Sequence, residues 1–275
     1  DSFEISGSTL KLKSSVSADY ETKSSYSITI TVTDSDGNTF SKDFSLNVTN
    51  LSEPETITGT VVDGYVSGST VKVLDANGNL LGTATTDSLG RYTIEASDSN
   101  GVKIVAEGGV DTSTGETITI TLSATKGSSY VSALTTIIEK AGDDADTVLA
   151  NLGLPADFDL ATSNPLENVE AQKVNASLIN IIAVGETLLE NAGLTDGAGD
   201  ELIIAELVTL LTTSSDFNST TAIKSVIDAS VSTLDTAIQT KVSNLSDDVS
   251  SSLAILNKEI ENYWLDMCRM WNIPS

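Results

Sequence analysis

Apolar and polar side chains alternate along the first 54 residues. From Tyr26 to Val32 every second residue is apolar and those between are Ser or Thr, the period of two typical of a half-buried strand. Asp36-Gly37-Asn38 then marks a turn, and apolar residues resume from Phe40 to Val48. The pattern predicts a β-hairpin with a hydrophobic inner side, which is too small to be a domain alone.

Residues 55–124 continue as β structure. Short apolar stretches recur about every ten residues, separated by turn signals such as Asp63-Gly64 and Asn77-Gly78-Asn79. Regular short strands of this kind are typical of a β-sandwich. The predicted strands are Ile57–Val62, Thr70–Leu74, Leu80–Thr85, Arg91–Glu95, Val102–Glu107 and Thr117–Leu122.

The apolar spacing changes to the period of an α-helix between residues 125 and 263. Pro155 and Pro165 bracket an irregular loop in this segment. Helices are predicted around Val131–Ile138, from Asp143 through Leu152, around Val174–Leu189, and from Asp200 through Leu211.

A last helical stretch is predicted from about Thr220 to Tyr263. Between Val231 and Ile260 the apolar residues follow an eleven-residue repeat, which predicts one nearly straight helical seam. The seam is interpreted as a packing face within its own domain, with a coiled-coil partner as the alternative. Ser246-Asp247-Asp248 offers a different alternative, the N-terminal cap of a separate helix.

Residues 264–275 form an atypical tail. Both tryptophans, both methionines and the one cysteine lie between Trp264 and Trp271. The tail is either an amphipathic docking segment or a sequence foreign to the parent protein. We favour the second interpretation and assign the tail no function.

The composition excludes several kinds of catalytic site, metal site and partner. With no histidine, the chain has no Ser-His-Asp or Cys-His relay and no His-ligated zinc. One cysteine permits neither an internal disulfide nor a cysteine metal cluster. The net charge of -25 repels nucleic-acid phosphates, and no apolar run is long enough for a membrane span. We therefore expect no catalysis, no nucleic-acid partner and no membrane insertion.

Two dense carboxylate groups could suggest catalysis. Asp143-Asp144-Asp146 and Asp247-Asp248 both fall at predicted helix starts, where negative charge is stabilised by capping and by the helix dipole. Aromatic residues, on which sugars stack in glycosidases, make up only 5% of the chain. A structural role is therefore the interpretation of both groups.

Four elements of the first segment occur in the order found in the C-terminal half of a cadherin-like repeat. They are Phe3-Glu4-Ile5, Asp19-Tyr20-Glu21, the strand Tyr26–Asp34 and the closing Val48–Pro54. The segment resembles that family, in which an Asp-x-Glu element and an acidic linker bind calcium between successive repeats. The resemblance implies Ca²⁺ as a cofactor, bound by Asp19, Glu21, Asn50 and Glu53.

The match to the calcium site is partial. Asn50 and Ser52 stand where the family has a more acidic linker, so modest affinity is expected. The alternative is that Asp19 and Glu21 are ordinary solvated loop charges. Asp34-Ser35-Asp36-Gly37 also resembles a calcium loop, but a hairpin turn needs Asp and Gly without any metal.

The remaining segments resemble a module of very large bacterial surface and biofilm adhesins. The series from Gly59 through Tyr92 is similar to carboxypeptidase-regulatory-like and other Ig-type sandwiches. It leads into Gly108–Gly115, Val131–Ile138 and Leu152–Leu166. In that last stretch Asp157 and Asp159 are interpreted as residues that cap and position the loop at Pro155. The family implies a secreted, surface-attached protein in a long array of repeats.

These observations predict a multidomain α and β protein, with Ig-like β-sandwich modules on the N-terminal side and an all-α helical domain after them. The predicted domains are 1–54, 55–124 and 125–263, followed by the tail 264–275. The predicted function is that of a non-catalytic extracellular adhesin segment whose partners are neighbouring repeats and a surface glycan, a peptide or another cell. The alternatives are a module whose helical domain recognises a peptide or glycan, and a hydrolase.

Overall fold

The computed structural model describes residues 2–20, 22–51, 54–97, 100–154, 158–195 and 198–271, with side chains as far as residue 262. It divides into two compact units, Asp1–Glu53 and Pro54–Ser275. The division lies next to the boundary predicted at residue 54. Helices and strands are both abundant, which confirms a chain of mixed α and β structure.

The first unit consists of two antiparallel hairpins. In the longer one Ile28 lies opposite Phe44, and Asp34–Asn38 form the turn. Its strands confirm the hairpin predicted from the alternating pattern. The four strands are β1 (Phe3–Ser6), β2 (Thr9–Leu12), β3 (Ser25–Thr33) and β4 (Thr39–Asn47).

The two faces of the β3–β4 hairpin differ sharply. The register places Tyr26, Ile28, Ile30 and Val32 on the same face as Leu46, Phe44 and Phe40, and gives the other face Ser, Thr, Asp and Asn. None of the described residues of this unit is buried, and Phe40 is 66% exposed. The alternation of half-buried and exposed residues from Tyr26 to Ile30 confirms the half-buried strand predicted for β3, whereas β4 is exposed along its whole length.

The β part of the second unit forms three small sheets. β12, β10, β7 and β8 lie side by side in one, β13, β5 and β9 in the second, and β11 and β6 in the third. All pairs are antiparallel except β13 with β5. The strands are β5 (Glu55–Val61), β6 (Val66–Ser67), β7 (Thr70–Asp75), β8 (Leu80–Thr85), β9 (Arg91–Ala96), β10 (Gly101–Glu107), β11 (Val110–Asp111), β12 (Leu122–Thr125) and β13 (Tyr130–Val131).

Five of the six predicted strands are confirmed within one or two residues, and the strand predicted at Thr117–Leu122 is wrong. Thr117 makes one isolated bridge to Val110, and regular pairing begins only at Leu122. The Ile118 amide donates to the Gly109 carbonyl at 3.0 Å, and beyond it the chain bonds to helices. The Thr119 hydroxyl donates to Glu186 at 3.0 Å, and the Thr121 amide donates to Asp200 at 2.8 Å.

The helical part follows the predicted order with different ends. Val131 belongs to β13, so the first helix begins two residues later, after the N-cap Ser132. The helices are α1 (Ala133–Ala141), α2 (Ala145–Asn151), α3 (Val169–Ala192), α4 (Gly199–Leu211), α5 (Thr220–Ser230), α6 (Thr236–Ser243) and α7 (Ser246–Trp271), with short 3-10 turns at Gly142–Asp144 and Pro165–Glu167.

The continuous helical seam predicted between Val231 and Ile260 is wrong. The chain leaves the helix after Ser230, and Asp235 caps α6 by accepting a hydrogen bond from the Ala237 amide at 2.7 Å. A second break precedes Ser246, where the alternative prediction placed a separate helix. Periodicity cannot reveal such breaks when the apolar spacing continues across them. The backbone of the predicted tail continues α7 as far as Trp271, and its side chains lie outside the described residues.

One hydrophobic core joins the β and helical parts of the second unit. It runs from β7 and β10 through α1 to α3 and α4, and Val73, Ile104, Leu134 and Ile181 are among its fully buried members. The boundary predicted at residue 124 falls inside β12, and both predicted domains lie in one compact unit.

Buried hydroxyl groups reinforce the junction of β12 with α1. The Ser123 amide donates to the Thr136 hydroxyl at 2.8 Å, and the Thr135 hydroxyl donates to the Ser123 carbonyl at 2.8 Å. All three residues are buried, with exposed fractions of 2% for Ser123, 3% for Thr135 and 1% for Thr136. A buried backbone group needs such partners, so these threonines fix how the first helix meets the sheet.

Among the described residues, no helix has both the length and the apolar character needed to cross a bilayer.

Candidate functional site

The residues predicted to bind calcium are only partly described. Asp19 accepts hydrogen bonds from the amide of Thr22 at 3.2 Å and from its hydroxyl at 2.6 Å. Asn50 is exposed and lies outside regular structure. Glu21 and Glu53 lie outside the described residues. Within the described part of the chain, no three acidic or cysteine side chains group together as metal ligands would. The calcium site remains a prediction.

The loop that resembles a calcium loop is held as a hairpin turn. The Asp34 carboxylate accepts from the amides of Asp36 and Asn38, both at 2.9 Å, and from the Asn38 side chain at 2.9 Å. These bonds, chiefly the last, lower the pKa of Asp34. Asp75 makes the same three bonds at the turn between β7 and β8. The turn interpretation accounts for both carboxylates.

Both dense carboxylate groups lie at helix starts, as the sequence predicted. Asp143 and Asp144 occupy the 3-10 turn before α2, and Asp146 lies in the first turn of that helix. Asp247 and Asp248 lie in the first turn of α7. Asp159 also has a local role, because it accepts from the Ala161 amide and the Thr162 hydroxyl, whereas Asp157 and Pro155 lie outside the described residues.

A lysine lies close to a serine between α5 and α7. Lys224 Nζ donates to the Ser246 hydroxyl at 2.7 Å and forms ion pairs with Asp228 at 2.9 Å and Asp247 at 3.2 Å. The hydrogen bond to Asp228, followed by that to Asp247, raises the pKa of Lys224. A lysine held in its charged form cannot take a proton from serine. The contact therefore links two helices and does not activate a nucleophile.

The most perturbed acid lies in a loop between β5 and β6. Burial, with the negative charge of Asp111 as a second cause, raises the pKa of Asp63 to about 6. No described residue donates a hydrogen bond to its carboxylate. A group that is costly to ionise and lies in a groove is a candidate for binding or chemistry.

Asp111, at the end of β11, has the opposite environment. Its carboxylate accepts from the Ser113 amide at 2.8 Å, the Ser113 hydroxyl at 2.7 Å and the Thr114 hydroxyl at 3.0 Å. The Gly64 amide also donates to it. Burial alone would raise the pKa of Asp111, but these bonds outweigh burial and lower it. Asp111 therefore stays ionised beside Asp63.

The two aspartates line a groove of about 560 Å³ between residues 111–120 and α3. Glycine is required at residue 64, since any side chain there would collide with the Asp111 carboxylate. The helix side of the groove carries Ala176, Ile179 and Ala183. An apolar wall with a few polar groups at one point is the usual form of a binding site.

A larger groove, of about 650 Å³, lies where β7 and β10 meet α1 and α4. Two lysines line it, Lys103 paired with Glu139 at 2.9 Å and Lys140 paired with Glu201 at 3.4 Å. Asp75, Glu107 and Asp200 line it as well. This groove thus contains both signs of charge, whereas neither Lys nor Arg is among the described residues that line the Asp63 groove, so the Asp63 groove is the candidate site.

Sequence reasoning missed Asp63 and Asp111 as site residues. Asp63-Gly64 looks like an ordinary turn, and Asp111 looks like one of many loop aspartates. They lie 48 positions apart and meet only because β11 pairs with β6 directly after the Asp63 turn. No local signal in the sequence indicates that contact.

Comparison with known proteins gives no match: no family model, no curated protein and no solved structure resembles the chain. The adhesin and cadherin resemblances therefore remain proposals.

Proposed function

We propose that the chain is a non-catalytic segment of an extracellular bacterial adhesin. The observation that carries this proposal is the single core joining the sheets of the second unit to its helices. A unit built in this way acts as one stiff body. Such bodies suit the task of holding a binding element away from a cell surface. Partners on this proposal are neighbouring repeats of the parent chain and a ligand on another surface.

The finer fold proposal is an Ig-like sandwich within the second unit. Alternate residues of β7 and β9 are buried, Val71 and Val73 in one and Tyr92 and Ile94 in the other, as expected of strands that contribute to an interior between two sheets. The short parallel pairing of β13 with β5 then leads the chain into α1.

Calcium at the acidic linker that closes the cadherin-like segment completes this proposal. Asp19, Glu21, Asn50 and Glu53 would supply oxygen ligands, and a bound ion would restrict motion between successive repeats. Calorimetric titration of the whole chain with calcium tests it, with Asp19→Asn as the variant. Heat that saturates in the millimolar range and falls in the variant supports calcium binding. No heat, with no shift in melting temperature, refutes it.

Surface location is tested on intact cells of the source bacterium. Antibodies raised against the whole chain should label unbroken cells, and their Fab fragments should reduce attachment of those cells to a surface. Antigen found only after lysis would refute the extracellular proposal.

The second candidate function is ligand recognition, and the Asp63 groove is the observation that favours it. The groove combines an apolar wall with an acid that has no hydrogen-bond donor among the described residues. Adhesin segments that only extend a chain do not require such a feature. An adhesin segment that also binds a peptide or glycan would have one.

A further inference from the structure

The groove beside Asp63 has a strongly one-sided charge. Three carboxylates, those of Asp63, Asp111 and Glu116, line it, and neither Lys nor Arg is among its described lining residues. The groove at α1 and α4 differs in this respect, since Lys103 and Lys140 line it beside its carboxylates. A ligand that enters the Asp63 groove meets uncompensated negative charge.

The apolar wall defines the ligand further. Ala176, Ile179 and Ala183 project from α3 at helical spacing, and Ile260 of α7 adds to them. Lysine and arginine carry a charged head on an apolar stem, and such stems pack along apolar surfaces while the head reaches a carboxylate. No aromatic residue is among the described lining residues, so the groove has no ring on which a sugar could stack.

We propose that the groove between residues 111–120 and α3 binds a lysine or arginine side chain of an extended peptide. This inference rests on the second candidate function and names the ligand class of that site. The charged head would lie between Asp63 and Asp111, and the stem would lie along Ala176 and Ile179. Asp111 is already fixed by its hydrogen bonds, whereas Asp63 has no such donor and gains most from a cation.

The probe is a short blocked peptide, acetyl-Ala-Lys-Ala-amide. The control is the same peptide with norleucine, which lacks the charge, in place of lysine. Titration into the isotopically labelled whole chain is followed by amide chemical shifts. The lysine peptide should give saturating shifts confined to residues 111–120 and 172–183. The norleucine peptide should bind about tenfold more weakly, the loss expected for one charge-assisted contact.

Two variants make the test specific. Asp63→Asn should weaken lysine-peptide binding about tenfold, while Asp143→Asn, an exposed acid at a helix start, should leave it unchanged. Ala176→Lys places a tethered cation in the groove and should abolish binding. This second variant keeps the test valid if Asp63→Asn alters the loop, and the amide spectrum shows whether each variant is folded.

Other results would overturn the proposal. Shifts that do not saturate, or that spread over the acidic surface, would mean that the peptide binds only to the overall charge. Equal binding of the lysine and norleucine peptides would refute the cation while leaving a binding groove in place. Absence of any peptide binding would refute the inference and leave the second candidate function without support from a peptide ligand, and the adhesin proposal would still rest on the cell-labelling test.

Discussion

Replacing Asp63 by Asn should stabilise the second unit at neutral pH. The folded pKa of Asp63 is about 6, against 3.8 for an ordinary aspartate. Below about pH 4 both the folded and the unfolded chain hold the proton, so Asp63 costs nothing. As the pH rises through that range, the unfolded chain loses its proton first, and the folded state becomes less favourable. Above about pH 6 the full cost is present.

The expected gain in stability follows from the pKa shift of Asp63. About two pKa units correspond to about 3 kcal/mol in the free energy of unfolding. Asp63 is only partly buried, so relaxation and solvent reduce the value, and we expect a gain of about 1–3 kcal/mol for Asp63→Asn near pH 7.5. Asn keeps the size of the side chain and suits the same turn.

Urea unfolding of the whole chain, followed by the helical circular dichroism signal, measures the difference. All helices lie in the second unit, so this signal reports on that unit. The stability gap between variant and parent should be largest near pH 7.5 and should fade as the pH falls below about 4. The other carboxylates titrate in both proteins, so their contributions largely cancel.

Asp75→Asn is the matched control, for which we expect a loss of stability instead of a gain. Hydrogen bonds from Asn79 and Asn77 lower the pKa of Asp75, so this exposed turn aspartate favours the folded state at neutral pH. Its replacement should lower the stability above pH 4, and the loss should fade on acidification. An Asp63→Asn variant that is less stable at pH 7.5, or a gap that does not change with pH, would refute the reasoning.

Three further predictions concern packing, each measured by urea unfolding of the second unit. Thr136→Val leaves the buried amide of Ser123 without an acceptor and should cost about 1–3 kcal/mol; no loss would refute the role given to that hydroxyl. Ile104→Ala should cost about 2–5 kcal/mol, whereas Phe40→Ala, in the other unit, should leave this transition unchanged. Gly59→Ala would place a methyl group against the buried ring of Tyr92 and should cost about 1–3 kcal/mol; full stability would show that the ring can move.

Sequence patterns predicted the local elements well for a physical reason. Period-two alternation in β3 and helical spacing in α3 both record which side of an element is apolar. The pattern does not record what lies against that side. The alternation therefore did not indicate that the apolar side chains of β4 are exposed, and the helical periodicity continued across the breaks that separate α5, α6 and α7.

Long-range contacts account for the other errors. Thr117–Leu122 has the composition of a strand, but Glu186 and Asp200 take its hydrogen bonds, and both lie more than 60 residues away in sequence. The same applies to the boundary at residue 124, where Thr135 and Thr136 bond back to β12. The change from strand to helical spacing near residue 124 therefore marks a change of element type inside one compact unit.

Asp63 differs from the other aspartates whose pKa is shifted in the described chain. Asp34, Asp75, Asp87, Asp111 and Asp159 all have lowered pKa values, and each accepts hydrogen bonds from nearby amides or hydroxyls. Asp63 alone in this set has a raised pKa and no such donor. Its charge thus weakens the folded state, and a turn could be made with Asn instead. The positive charge of a cation in the groove would offset the repulsion from Asp111 and favour the ionised form of Asp63, so ligand binding is the one role proposed here in which the charge of Asp63 is useful.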